Sequence, residues 1–155
     1  IYKWYDTLYP KQSRGRMKNF DIEAEKAKVK LVVDQFEQFW ETGNMELFSR
    51  IIAHDADMVN YGTDATEYFV GWEELKEAVE KMLPSLENTK ITVRDQVIKV
   101  HPSGNVAWFS QVWDWDLAVE GKPVHSEDQR LTGVLEKRNE KWVFVQFHNS
   151  VPVSG

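Results

Sequence analysis

Two stretches of this chain set groups capable of proton transfer among aromatic side chains. The first is Lys141-Trp142-Val143-Phe144-Val145-Gln146-Phe147-His148-Asn149-Ser150. It reads as a strand, because it is rich in β-branched and aromatic residues and free of Gly and Pro. Strict alternation puts Trp142, Phe144, Gln146, His148 and Ser150 on one face and Val143, Val145, Phe147 and Asn149 on the other. The first face runs from aromatic to polar, as the wall of a binding cavity does. The same pattern also fits a core strand whose polar end reaches solvent. His148 is the leading candidate for acid–base work, since an imidazole exchanges protons near neutral pH. Gln146 and Ser150 would orient it or hold a ligand carbonyl. The plainer reading makes His148 a hydrogen-bonded wall residue with no chemistry.

The second stretch is Val112-Trp113-Asp114-Trp115-Asp116. Alternation sets Trp108, Ser110, Val112, Asp114 and Asp116 against Phe109, Gln111, Trp113 and Trp115. If the Asp face meets a cavity, Asp114 is a candidate general base, raised in pKa by desolvation among the aromatics. If the Trp face does, Trp113 and Trp115 are walls and both carboxylates are solvated. Arg130 and Thr132 alternate with Gln129, Leu131 and Gly133. An inward Arg130 would grip a carboxylate bidentately, and an outward one would make a surface salt bridge. Tyr61 and Tyr68 offer hydroxyl donors of the oxyanion-stabilising kind, or core rings with a wet tip. Trp40, Trp72, Trp108 and Trp113 are candidate aromatic walls.

Composition narrows the classes. A chain of 155 residues is one domain with room for a real core. Aromatics make up 13% of it, seven of them Trp, which favours a lined pocket or an interface. A net charge of −6 repels phosphate backbones and speaks against nucleic acid as a partner. No apolar run is long enough to span a membrane. With no Cys, disulfides and thiolate chemistry are excluded. The four histidines, at 54, 101, 125 and 148, form no close pair, so no metal is expected. His54-Asp55-Ala56-Asp57 reads as a helix-to-strand turn rather than a ligand cluster. No Gly-rich phosphate loop is present and no cofactor is expected. A chain that starts with Ile reads as a processed or trimmed product without a visible signal peptide. The expectation is a soluble protein, cytoplasmic or, if processed, exported.

Charge is uneven along the chain. Residues 1–20 hold Lys3, Lys11, Arg14, Arg16 and Lys18 against Asp6, a net +4, together with Trp4 and three Tyr. This segment reads as a basic aromatic arm that either packs on the acidic body or docks a partner. Residues 21–155 form the domain proper. Asp21 caps a long amphipathic helix that ends at Gly43. Asn44 caps a short second helix carrying Met45, Phe48, Ile51 and Ile52. Met58–Tyr61 and Glu67–Val70 flank the turn Gly62-Thr63-Asp64. A third helix follows Gly71 and stops at Pro84. Four strands come next: Lys90–His101, Val106–Val119, Val124–Lys137 and Trp142–Val153. Three helices followed by an antiparallel meander indicate an α+β domain. Its long strands would curl into a cone around the first helix and enclose a pocket.

Several short motifs, in this order, resemble the nuclear-transport-factor-2-like superfamily in its SnoaL-like, ketosteroid-isomerase-like branch. They are Phe36-Glu37-Gln38-Phe39-Trp40, Asp57 to Asp64, Glu67 through Gly71-Trp72-Glu73-Glu74-Leu75, Gly104-Asn105-Val106-Ala107-Trp108, Arg130 to Leu135, and Lys141-Trp142 through His148-Asn149-Ser150. They span residues 22–152. The last strand is also similar to the one ending the association domain of calcium/calmodulin-dependent kinases. The resemblance implies a cone-shaped α+β barrel with an internal pocket and a homodimer formed through the sheet. It implies no single reaction, because this superfamily holds isomerases, dehydratases, cyclases and non-catalytic modules. The trio that ketosteroid isomerisation uses has no counterpart at assigned positions here. Three expectations follow. The first is a domain that binds a small apolar or aromatic molecule gripped by His148, Gln146, Arg130 and Tyr61. The second is an isomerase, dehydratase or cyclase with His148 or Asp114 as base. The third is a non-catalytic interaction module that uses residues 1–20 and the exposed sheet.

Overall fold

The computed structural model describes residues 21–153, so the basic arm of residues 1–20 lies outside the described residues. Local chemistry sets the helix ends. Asp21 accepts from the Ala24 backbone N–H at 3.1 Å and opens helix α1, Ile22–Thr42, with Glu23 and Glu25 in its first turn. Gly43 closes α1 in the left-handed conformation (φ 67°), donating its N–H to the Phe39 carbonyl at 2.7 Å. Asn44 accepts from the Leu47 N–H at 3.0 Å and starts α2, Met45–Ile51. Strands β1 (Val59–Tyr61) and β2 (Tyr68–Val70) form a short antiparallel hairpin. Helix α3, Trp72–Met82, runs into a single 3₁₀ turn, Leu83–Ser85, that contains Pro84.

Four long strands complete the domain: β3 (Glu87–Val100), β4 (Val106–Val119), β5 (Lys122–Arg138) and β6 (Lys141–Ser150). One six-stranded sheet results, in the order β2-β1-β6-β5-β4-β3. Every pairing is antiparallel except β1 with β6, which run parallel where Tyr61 faces His148. The sheet curves without closing, and α1 lies against its inner side. Val29, Val33, Phe36 and Phe39 of that helix are fully buried beside Phe109, Leu131, Leu135 and Phe144. Each such side chain contributes about 1.5–3 kcal/mol on leaving water. The α+β cone expected from the element order is the architecture found.

Register slips decide which side chains meet the helices. Between Arg94 and Val97 β3 carries one residue more than β4, with Asp95 at φ 54°. Opposite Trp113 and Trp115, β5 carries an extra residue between Ser126 and Gln129, with Asp128 at φ 57°. In β6, Val145 is the extra residue between Phe144 and Gln146. Each is a β-bulge, and an inserted residue exchanges the two faces of the strand beyond it. A charged cluster ties the first two bulges together on the outer side. Arg94 donates to Asp114 at 3.1 Å and also to Asp128, and Asp114 accepts from the Asp128 N–H at 2.8 Å.

A buried carboxylate fastens the start of α1 to the β5–β6 turn. Glu25 accepts from Trp142 Nε1 at 2.9 Å, Lys28 Nζ at 2.9 Å and Lys137 Nζ at 3.0 Å. Burial pushes this carboxyl up, but the hydrogen bonds from Lys28, Lys137 and Trp142 outweigh it and hold the group at about 2 instead of 4.5. A depressed folded value means that the stabilisation is present above pH 4.5 and is lost as pH falls toward 2. Glu25→Gln removes the buried charge that Lys28 and Lys137 share and is expected to cost about 3 kcal/mol at pH 7. Urea denaturation of both proteins at pH 7 and pH 3 checks this: the gap between them must narrow at the lower pH.

Candidate functional site

Between α1, α3 and the inner side of the sheet lies a cavity of about 280 Å³. Phe36 and Trp40 reach it from α1, and Leu75, Val79 and Met82 from α3. The sheet supplies Trp113, Trp115 and Leu117 from β4, Leu131 from β5 and Phe147 from β6. Val124 and Thr63 line it while remaining exposed, which marks them as rim residues. The aromatic walls interlock. Trp113 meets Trp115 edge-on at 5.1 Å and Trp40 meets Trp115 edge-on at 5.4 Å, geometry that suits the ring quadrupoles. The Trp115 Nε1 donor is buried and has no hydrogen-bond partner.

The polar part of the wall is a continuous relay. Trp113 Nε1 donates to Asn149 Oδ1 at 3.0 Å, Asn149 Nδ2 donates to Gln129 Oε1 at 2.8 Å, and Gln129 Nε2 donates to Ser126 Oγ at 2.9 Å. Two bulges assemble it. The one in β5 brings Ser126 and Gln129, three residues apart, to the same side, and the one in β6 turns Phe147 and Asn149 inward. Asn60 secures the second of these strands, accepting from the Phe147 N–H at 3.0 Å. Glu67 is the one ionisable side chain among the described lining residues. Its carboxylate accepts from the Asp64 N–H at 3.0 Å and lies over Gly62, where a Cβ would come within 2.1 Å of Oε2. Elsewhere on α1, Glu37 is pushed up to about 7, by burial first and then by the charge of Asp34. It does not line the cavity.

The structure divides the residues picked out from sequence. Trp40 and Trp113 line the cavity. The expected single face from Trp142 to Ser150 does not exist: it runs inward through Trp142 and Phe144, and Val145 then shifts the phase. His148 is therefore exposed on the outer side, its ring 5.2 Å from Tyr61, which in turn lies 5.1 Å from Tyr68. Thr132 faces His148 and Arg130 faces Ser150 in the ladder, and Arg130 donates to the Val151 carbonyl at 3.4 Å. Gln146, Thr132 and Trp108 border a shallow outer depression with Val97 and Val134. Asp114 belongs to the outer charged cluster with Arg94 and Asp128. Trp72 is packed in the core against the His54 ring at 4.2 Å and against Phe48. His54 itself lies 2.9 Å from the Ser49 carbonyl, within the turn that joins α2 to β1. Among the described residues, no group of three His, Asp or Glu is placed to hold a metal.

Sequence reasoning passed over Asn149, Gln129, Ser126 and Glu67. Their signal is a break of phase. Along β5 the inward residues are Val124 and Ser126 and then Gln129 and Leu131, even numbers giving way to odd.

Residues 29–154 match the model of the SnoaL-like domain family, and the chain belongs to that family. Its fold is that of solved structures of low identity. A nuclear transport factor 2-like superfamily protein from Salmonella enterica serovar Typhimurium is 16% identical, with a TM-score of 0.75 over 85% of this chain and 94% of that one. A proposed dehydratase of the same superfamily from Streptomyces avermitilis is also 16% identical, with a TM-score of 0.75 over 85% of this chain and 99% of that one. A proposed calcium/calmodulin-dependent protein kinase II association domain from Xanthomonas campestris is 23% identical, with a TM-score of 0.69 over 82% and 87%. At such identities the likeness concerns the fold alone. No curated protein matches the sequence.

The relay makes a stability test of the inward phase. Asn149→Leu strands both Trp113 Nε1 and Gln129 Oε1 and is expected to cost about 2–3 kcal/mol. His148→Ala, on the exposed side, should stay within about 0.5 kcal/mol. Urea unfolding midpoints of the two variants measure the difference.

Proposed function

We propose that this SnoaL-like domain binds a small, mostly apolar organic molecule in the inner cavity. The observation that carries the reading is a cavity with aromatic walls into which one ordered polar relay is built. Apolar walls with a few convergent polar groups are what small-molecule sites have in common. A volume of about 280 Å³ suits a ligand of two to three fused rings. Proton abstraction by His148 or Asp114 gains no support from their positions. Both stand on the far side of the sheet from this cavity, and Asp114 is held by Arg94 and the Asp128 N–H.

The outer side favours a second role alongside the first. Val97 and Trp108 on β3 and β4, and Tyr61 and Tyr68 on β1 and β2, are all more than two-fifths exposed there, so large apolar side chains stand at both ends of this side of the sheet. We propose that a second copy of the chain covers it. Trp108→Glu is expected to convert a dimer to a monomer in sedimentation velocity without loss of helical signal. An unchanged mass would remove this reading.

Blocking the rim tests the cavity. Val124 lines it yet is 41% exposed, so Val124→Trp adds bulk at the opening with little effect on the core. The variant should keep the wild-type unfolding midpoint and lose binding of a neutral bicyclic probe such as tetralin by at least about ten-fold. Ligand-observed NMR titration reads both proteins, and equal affinities would rule the cavity out as the binding site.

A further inference from the structure

Helix α1 is balanced in charge over its first half and unbalanced over its second. Each of its three lysines pairs with an acid of the same helix: Lys26 with Glu23 at 2.7 Å, Lys28 with Glu25 at 2.9 Å and Lys30 with Asp34 at 2.6 Å. Glu37 and Glu41 follow with no ion-pair partner among the described residues, and the last turn holds no basic side chain. That is the wrong sign for a helix C-terminus, whose unpaired carbonyls already carry partial negative charge. Glu41 accepts from the Ile91 N–H of the edge strand β3 at 2.9 Å, and Asp34 accepts from Gln96 of that strand at 3.2 Å. Glu37, between them on the helix and half-buried, has no hydrogen-bond partner among the described residues. Burial and the charges of Asp34 and Glu41 push its carboxyl up to about 7. A carboxylate so placed gains more from a cation than one free in water.

Beside these carboxylates the solvent side of α1 carries an apolar strip. Ala24, Ala27 and Leu31 follow helical spacing and are all exposed, Leu31 by 60%. The chain holds the complement to this face. It carries −6 as a whole and +4 on residues 1–20, which leaves −10 on the rest. Residues 7–20 contain Lys11, Arg14, Arg16 and Lys18 and no acid. They join the helix at Asp21, so counting residues fixes what each can reach. From Asp21 the helix rises about 15 Å to Leu31, about 24 Å to Glu37 and about 30 Å to Glu41. Extended chain spans about 3.3–3.6 Å per residue, which brings Arg16, Arg14 and Lys11 level with those three positions in turn. A tethered segment also meets the helix at an effective concentration on the order of millimolar, so ion pairs of modest strength suffice where a separate partner would need more.

We infer that the chain's own basic arm docks on the solvent side of α1, residues 11–18 running back along the helix over Leu31 with Arg14 paired to Glu37 and Lys11 close to Glu41. The arm then supplies the cation that the end of α1 lacks. This surface lies across the sheet from the outer side, where a second copy is proposed to bind, so the two interfaces do not compete.

The test uses the full chain. Because the chain has no cysteine, Ser13→Cys takes a single nitroxide label beside Arg14. In ¹⁵N spectra the label should broaden the amides of Leu31 to Glu41 and of Ile91, and leave those of Trp108 and Thr132 on the outer side sharp. Glu37→Lys exchanges an attraction for a repulsion and should lower the ratio of docked to free arm at least about three-fold. Adding Arg14→Glu to that variant reverses both charges and should restore the broadening, which a purely structural effect of the Glu37 substitution would not do. A mixture of ¹⁵N chain without label and labelled chain without ¹⁵N should show no broadening. Sharp α1 amides in the labelled protein, broadening centred on the outer side, broadening in the mixture (the arm of another copy), or no rescue by the double reversal would each overturn the assignment.

Discussion

The phase of the strands is the constraint on which the rest of this structure depends. A strand shows its side chains alternately to two sides, so one inserted residue exchanges core for solvent along everything that follows. Here β3, β5 and β6 each take such an insertion. Without the one in β6, His148 and Ser150 would face α1, and Phe147 and Asn149 would face water. The apolar requirement is one-sided. Phe147 is nearly fully buried and its ring packs 5.1 Å from Phe36, whereas His148 tolerates exposure. The bulge is the arrangement that buries both Phe144 and Phe147 on one strand.

A bulge leaves backbone unpaired and bends the sheet, so it needs support. The outer cluster supplies it for the bulges at Asp95 and Asp128. Asp114 accepts from the Asp128 backbone at the β5 bulge and from Arg94 beside the β3 bulge. The carboxylate that looked like a candidate base in an aromatic run is, in this structure, the clasp of the curved sheet. On the inner side, the β6 bulge is held by Asn60, a fully buried residue whose oxygen accepts from the Phe147 amide, two residues past the inserted Val145. Curvature, cavity and relay therefore share one cause. The bend leaves space between the sheet and the helices, and the shifted phase lines that space with Gln129 and Asn149. Each relay hydrogen bond contributes only about 1 kcal/mol net. The greater effect is the penalty for breaking one, because its partners have nowhere else to turn.

Much of the scaffold was legible from residue types. Asp21, Gly43 and Asn44 mark helix ends by mechanisms that act within a few residues, and each works as a cap in the structure. The six strands and their turns were legible for the same reason. The two faces of β4 could be sorted from sequence, but not which of them met the cavity, since that depends on partners far along the chain. The final strand misled because a period of two carries no mark for an extra residue. A trace of it is present all the same. In β3 the apolar side chains packed on the core are Ile91 and Val93 and then Ile98 and Val100, and in β6 the buried aromatics step from 144 to 147. Read as a slip rather than as noise, the even-to-odd change in β6 places Asn149 rather than His148 on the inner side.

The central claim is that the ligand side of the sheet is the side of Ser126 and Asn149, not that of His148. Because the chain has no cysteine, a single introduced thiol reports its own position without background. Ser126→Cys and His148→Cys would each be treated with a small methanethiosulfonate reagent, with and without saturating tetralin, and the reaction followed by mass spectrometry. The account predicts that the probe slows modification of Ser126→Cys by at least about ten-fold and leaves His148→Cys unaffected, as burial of one site and not the other requires. Protection of His148→Cys with Ser126→Cys unprotected would contradict it.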